Sequence, residues 1–553
     1  MLVPRLKMKR RLLQLTMLLP LLFMLGCGDT PEEGRSDTPE TKYDLSYKGL
    51  SFYYQNKPTS QYRLAQLSDS EFNGLTEMQQ LEVADKLLST LFFGLPQDKL
   101  EEKIASEQFI SKIRKGLNED RTDKEWLENY ILDKEYFRQN ASTQEAVDIL
   151  SRFYAMNDLD KYYLNNWTAY ILTQTIMFSP AYELDSTHTP NISRVYNRLV
   201  SFFEDESGMR YTTYVHMMSE DNWRRFRSPE DNGREMMEIF LEDEDDAKVP
   251  LAGKALQNWK LNRDNDTLVV GRNENTEALA LFGSTVYNGD DFYREMVKTG
   301  TFQNTVTERL VNFFFTNATV SKKGQVSTAI IASKPETFQD ILLQIVFSKE
   351  YLLYNSRAKS AEELFYSLAK KMDFKHRTST FDYFRRALED MHQASMKYKL
   401  GKTERVPLDT LSFAGYHKYI RENMIMRKSE VKYEDDYSNW GRQGWGESFV
   451  ADVYFNFDDN DELGSLDTLV QYLFKSLVQR RATNEELELF RTHMQRDYNG
   501  VIALDYTFDM FYTNDNNETK QVKYRESNKR NIATIVMDYL SRLDRFYMQS
   551  EVK

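Results

Sequence analysis

Residues 76 to 93, TEMQQLEVADKLLSTLFF, place Leu81, Ala84, Leu87, Leu88 and Leu91 at steps of three and four. That spacing lays one apolar stripe along an α-helix, whereas in a strand it would scatter the same residues over both faces. Thr76, with Gln79 three residues later, has the capping-box pattern of a helix start. Gly94 and then Pro96 mark the stop. An amphipathic helix of this kind is stable only when its stripe is packed against others. The chain supplies them. Ile104, Phe109, Ile110, Ile113 and Leu117 continue the pattern on a further helix. LVQYLFKSLVQRRATNEELELF, residues 469 to 490, repeats the design with a second capping box from Thr483 to Glu486. Two weakly similar helical hairpins do not make a solenoid. Strand signals are short, the best being TLVVG near residue 269 and STAII near 329. Gly (22) and Pro (12) are scarce in 553 residues, and 41% of the chain is hydrophobic, enough for a sizeable core. The expected fold is mainly α, a large multi-helix body with few short strands.

The N-terminus, MLVPRLKMKRRLLQLTMLLPLLFMLGCGD, reads as an address. Arg5, Lys7, Lys9, Arg10 and Arg11 precede an apolar run from Leu12 to Leu25, too short for a comfortable membrane span. Leu25-Gly26-Cys27 resembles the end of a bacterial lipoprotein signal, in which the cysteine is acylated and becomes the new N-terminus; Met24 stands where Leu is usual. Residues 1–26 are then a signal peptide. Two or more acyl chains hold a protein stably on a membrane, where one holds it only marginally. Gly28 follows instead of the Asp that marks inner-membrane retention, so the resemblance implies an outer-membrane lipoprotein of a Gram-negative cell. Residues 27–45, rich in Pro, Thr and acids, form an expected tether. Cys27 is the only cysteine, which excludes an intramolecular disulfide and a cysteine metal cluster.

Without residues 1–26 the chain carries 67 basic against 85 acidic residues, a net −18. Such a field repels a phosphate backbone, so nucleic acid is an unexpected partner. His188, His216, His376, His392, His417 and His493 fall in no zinc-ligand spacing. No cofactor motif is present, and none is expected. Past the tether the sequence divides into a helical core (46–400), a loop-rich segment (401–465) and a C-terminal helical segment (466–553). Within the loop-rich part, FDDNDELG has calcium-loop acids but puts Leu463 at the fifth position from Asp459, which fails the ligand spacing.

The stretch DNGREMMEIF, residues 231 to 240, raises the question of chemistry. Ser228 and Pro229 mark a helix start, and Gly233, Met236, Met237, Phe240 and Leu241 form one apolar face. Arg234 and Glu238 lie four apart on its flank, with Glu235 on the far side. Downstream, VYNGDD carries Asp290 and Asp291, expected to cap the helix that begins at FYREMV. The acidic run EDEDD (242–246) reads as a solvated face.

REMMEIF (234–240), ALQNW (255–259), LFG (281–283), VYNGDD (286–291) and ERLVNFFF (308–315) occur in an order and spacing that resembles an uncharacterised bacterial family, the domain of unknown function numbered 1800. The resemblance is strongest over 231–315 and extends over about 140–380, with DILLQIVFSKEYL (340–352) included. Gly233 stands for the family's Ala, Gln257-Asn258 for its Thr-Gly, and the family histidines are absent around Trp167 and after Trp259. The family has no established activity. It implies a secreted, sulfatase-like protein as partner.

Two functions follow as expectations. One is an envelope lipoprotein that binds or scaffolds a secreted partner. The other is a lipid-anchored hydrolase of an anionic polymer. It would use Arg234 as anion holder and, as paired carboxylates, Glu235 or Glu238 with Asp290 or Asp291.

Overall fold

The computed structural model describes residues 58–120, 156, 159–177, 192–223, 226, 228–262, 267–271, 273–372, 414–418, 462–494, 505–513 and 516–552. The signal peptide, Cys27, the tether and most of the 401–465 segment lie outside the described residues. Among the described residues the fold is mainly α, with 20 α-helices, one 3-10 turn (Thr59–Gln61) and four two-stranded sheets.

In chain order the first helices are α1 (Asp69–Asn73), α2 (Glu77–Phe92), α3 (Gln97–Ile104), α4 (Phe109–Gly116), α5 (Lys161–Thr175), α6 (Ile192–Glu204), α7 (Met209–Met217) and α8 (Glu220–Trp223). Next come α9 (Pro229–Leu241), α10 (Val249–Ala255), the strands β1 (Trp259–Asn262), β2 (Thr267–Val270), β3 (Leu279–Leu281) and β4 (Ser284–Val286), and α11 (Gly289–Lys298). They are followed by α12 (Gly300–Phe314), α13 (Val320–Ala332), α14 (Phe338–Val346), α15 (Lys349–Leu352), β5 (Arg357–Ala358) and α16 (Ala361–Lys371). The last are α17 (Glu462–Val478), α18 (Asn484–Arg491), β6 (Asp505–Thr513), β7 (Thr519–Ser527), α19 (Asn528–Leu540), α20 (Asp544–Tyr547) and β8 (Met548–Gln549). All four strand pairs, β1–β2, β3–β4, β5–β8 and β6–β7, are antiparallel.

The local signals set α2. Thr76 and Gln79 form a full capping box, and the helix ends on Phe93 in the left-handed region (φ 59°) followed by Gly94 (φ 93°). The Gly94 N–H returns to the Leu88 carbonyl at 3.0 Å. Thr483 and Glu486 cap α18 in the same way. At the centre α5 and α14 are buried on almost every side, so they carry no amphipathic stripe. Trp167 on α5 ties the centre to α2 by donating its Nε1–H to the Thr90 carbonyl at 3.1 Å.

Two strand expectations need correction. STAII is helical, part of α13: Thr319 caps it and the buried Val326 and Ile330 sit one turn apart, so tertiary packing overrides the β-branched run. Among the described residues the longest pairing is the hairpin β6–β7, with nine residues in each strand and no strand signal of its own in the sequence expectations. TLVVG does form a strand, β2, paired with β1 through Trp259↔Val270 and Leu261↔Leu268. The C-terminal elements pack into the same body as the early ones. The helix α17 lies against α3 and α16, and β8 pairs with β5.

Candidate functional site

Helix α9 forms as its sequence requires. The Ser228 hydroxyl accepts the Asp231 N–H at 3.2 Å, Pro229 opens the first turn, and the five apolar-face residues are buried. Gly233 lets α10 approach: a Cβ there would lie 2.6 Å from the Ala252 Cβ. Helix α11 starts differently from expectation. Asn288 is the cap, its Oδ1 accepting the Asp291 N–H at 3.0 Å, so neither Asp290 nor Asp291 caps. Both acids instead sit in the first turn, where the positive end of the helix dipole favours them. Gly289 serves close packing, since a Cβ would stand 2.5 Å from the Trp259 indole.

These elements meet at a buried aromatic and polar junction. Trp259 stacks on Trp223 (centroids 6.0 Å apart) and meets the edge of Tyr293 at 5.7 Å. The Tyr293 hydroxyl donates to Asn232 Oδ1 at 2.6 Å, joining α11 to α9. Beside them the buried Asp221 carboxylate pairs with Arg198 at 2.8 Å.

The five residues singled out for chemistry lie on two helices, Arg234, Glu235 and Glu238 on α9 and Asp290 and Asp291 in the first turn of α11. Glu235 and Asp290 are both half-buried, each three residues along its helix from one partner of the Asn232–Tyr293 bond. Arg234 is exposed. Glu238 is half-buried, and burial raises its carboxyl above the usual range; Arg234 opposes this, while Glu244, Asp246 and Asp231 add to it. Its electrostatic neighbours thus lie on its own helix and the acidic loop after it. Asp291 accepts the Tyr287 N–H at 3.2 Å and pairs with Arg294. The acidic run is a solvated turn. Asp243 and Asp245 accept the N–H groups of Asp245 and Ala247, each at 3.1 Å, and Lys248 pairs with Asp243 at 2.6 Å.

Sequence reasoning missed a second cluster, a buried ionic network between α2, β5, α16 and the last elements. Lys371 pairs with Asp85 at 2.6 Å. The Arg357 guanidinium grips Glu363 with both terminal nitrogens and donates Nε–H to the Tyr351 hydroxyl at 3.1 Å. That hydroxyl also contacts Thr90 (2.8 Å) and Gln549 (3.0 Å). Lys86 Nζ donates to the carbonyls of Asn355 and Ser550, and Lys359 Nζ to that of Phe546 at 2.9 Å. Burial first, with Arg357 nearby, lowers the Lys86 pKa to about 7. Burial, then Lys371, lowers that of Lys359 to about 7.

Two cavities of about 10 Å³ each adjoin Lys359, room for roughly one water molecule apiece and none for a substrate. The only local sign of this cluster was Asp85-Lys86 set inside a leucine-rich run. A larger groove of about 470 Å³ runs along α3 and α4, with Phe92, Phe109 and Ile113 at its floor and Lys103 and Lys112 at its edge. Among the described residues no group of three or more His, Cys, Asp or Glu is placed to hold a metal ion, and no helix is long and apolar enough to cross a membrane.

No family model, no curated protein and no solved structure matches this chain.

Proposed function

We propose that this chain is an outer-membrane lipoprotein, anchored through acylated Cys27, whose helical body binds or scaffolds a secreted partner. One observation carries the reading: the lone cysteine of 553 residues stands directly after a basic segment, an apolar run and a small residue. The placement of the acids supports binding over hydrolysis. Asp291 is engaged by Tyr287 and Arg294, and Glu238 stands among acids of its own helix and loop. A hydrolase would have to rest on the half-buried Glu235 and Asp290.

The test is affinity capture of the tagged, lipidated full chain from its native envelope, together with a turnover assay on envelope and sulfated polysaccharides. A stoichiometric secreted partner, sulfatase-like if the family resemblance holds, is expected, with no turnover that Asp290→Ala removes. A solitary protein with Asp290-dependent turnover would overturn the reading.

A further inference from the structure

We propose that residues 544–552 form a strap whose grip on the helical body is set by the side-chain amines of Lys86 and Lys359, and that the strap tightens as the medium becomes alkaline. The strap comprises α20, β8 and the residues after them. Its main chain is held by Arg357↔Gln549 and Ala358↔Met548 in the β5–β8 pair, the Lys359 N–H to the Tyr547 carbonyl (2.8 Å) and the Val552 N–H to the Leu353 carbonyl (3.0 Å), and its side chains by the buried Phe546 and Tyr547 rings and by Gln549, bonded to Tyr351 and Thr90. The two amines add the Lys86–Ser550 and Lys359–Phe546 contacts from below. Neither amine has a carboxylate within ion-pair distance among the described residues. The nearby carboxylates of Asp85 and Glu363 are taken by Lys371 and Arg357.

Lys86 sees Arg357 from β5, Glu82 from its own helix and Glu551 from the strap, and it lies over the Tyr351 ring. Arg545 of the strap reaches toward Glu82 at 4.0 Å. Lys359 sees Lys371 and Glu363 from α16, Asp85 from α2 and Arg357 beside it. A buried ammonium without a carboxylate in ion-pair contact is costly, so the closed strap favours the neutral amines. Lifting the strap returns both amines to water, where the ordinary lysine value is 10.5.

Opening therefore takes up protons between about pH 7 and 10.5 and none below that window. Within it, each unit of rising pH disfavours opening by up to roughly tenfold per lysine. The upper end is limited by Tyr547, whose buried hydroxyl titrates above the ordinary range in the closed form, so that alkali beyond about pH 10 favours opening again.

Hydrogen exchange on the full chain at about pH 7 and about pH 9, expressed as protection relative to the intrinsic rate at each pH, tests this. Protection of residues 544–552 and 353–359 is expected to rise at least roughly tenfold between the two, with α12 unchanged. The rise should be smaller in Lys86→Met and in Lys359→Met, and absent in the double variant. Equal protection of the wild-type strap at both pH values overturns the proposal without recourse to a variant. So does a full rise in either single variant.

Discussion

Arg357→Leu is expected to lose about 3–5 kcal/mol of stability. The reason is the group left behind. Glu363 is buried, and both of its oxygens are held by the guanidinium. Without Arg357 it keeps the Ser360 N–H bond (2.7 Å) but loses the cation that holds both its oxygens. The Tyr351 hydroxyl also loses a donor at the centre of the Thr90–Gln549 network. Urea unfolding of Arg357→Leu, Glu363→Gln and the double variant measures the coupling. The double variant should recover much of the loss, because the stranded charge is gone. A double variant as damaged as the single one would mean that packing around Arg357, and not the charge, dominates.

Trp259→Ala is expected to cost about 3–5 kcal/mol, and Trp259→Phe much less. The indole is wedged between Trp223, Tyr293 and the Gly289 backbone, so its removal opens a cavity that rigid neighbours cannot fill. Its Nε1–H is buried without a hydrogen-bond acceptor, so phenylalanine forfeits volume but no hydrogen bond. Thermal or urea unfolding separates the two variants. Equal losses for Ala and Phe would contradict this account of the junction at Trp259.

What was legible in the sequence was local. Ser228, Thr76 with Gln79, and Thr483 with Glu486 act within one turn of where they stand, and each caps the helix its pattern announced. The apolar face of α9 needed only the helical repeat. VYNGDD announced a helix but misplaced both its cap and its start, because Asn288, Asp290 and Asp291 are all acceptable caps and the helix begins at Gly289, which takes the first turn against Trp259. STAII misled because β-branched residues at helical spacing satisfy either period over so short a run. The ionic network was illegible for another reason. Lys86 meets Ser550 and Tyr351 meets Gln549 only after the chain has folded across hundreds of residues, and no local periodicity records that pairing. The same holds for the Asn232–Tyr293 bond, which joins α9 to α11 across 61 positions.

The most direct test of the central claim is the intact mass and N-terminal peptide of the protein purified from a membrane fraction. The account predicts a mature chain that begins at Cys27, carries at least two acyl chains, and becomes unacylated and leaves the membrane fraction in Cys27→Ala. A mature chain with an unmodified Cys27, or one that still carries residues 1–26, would contradict it.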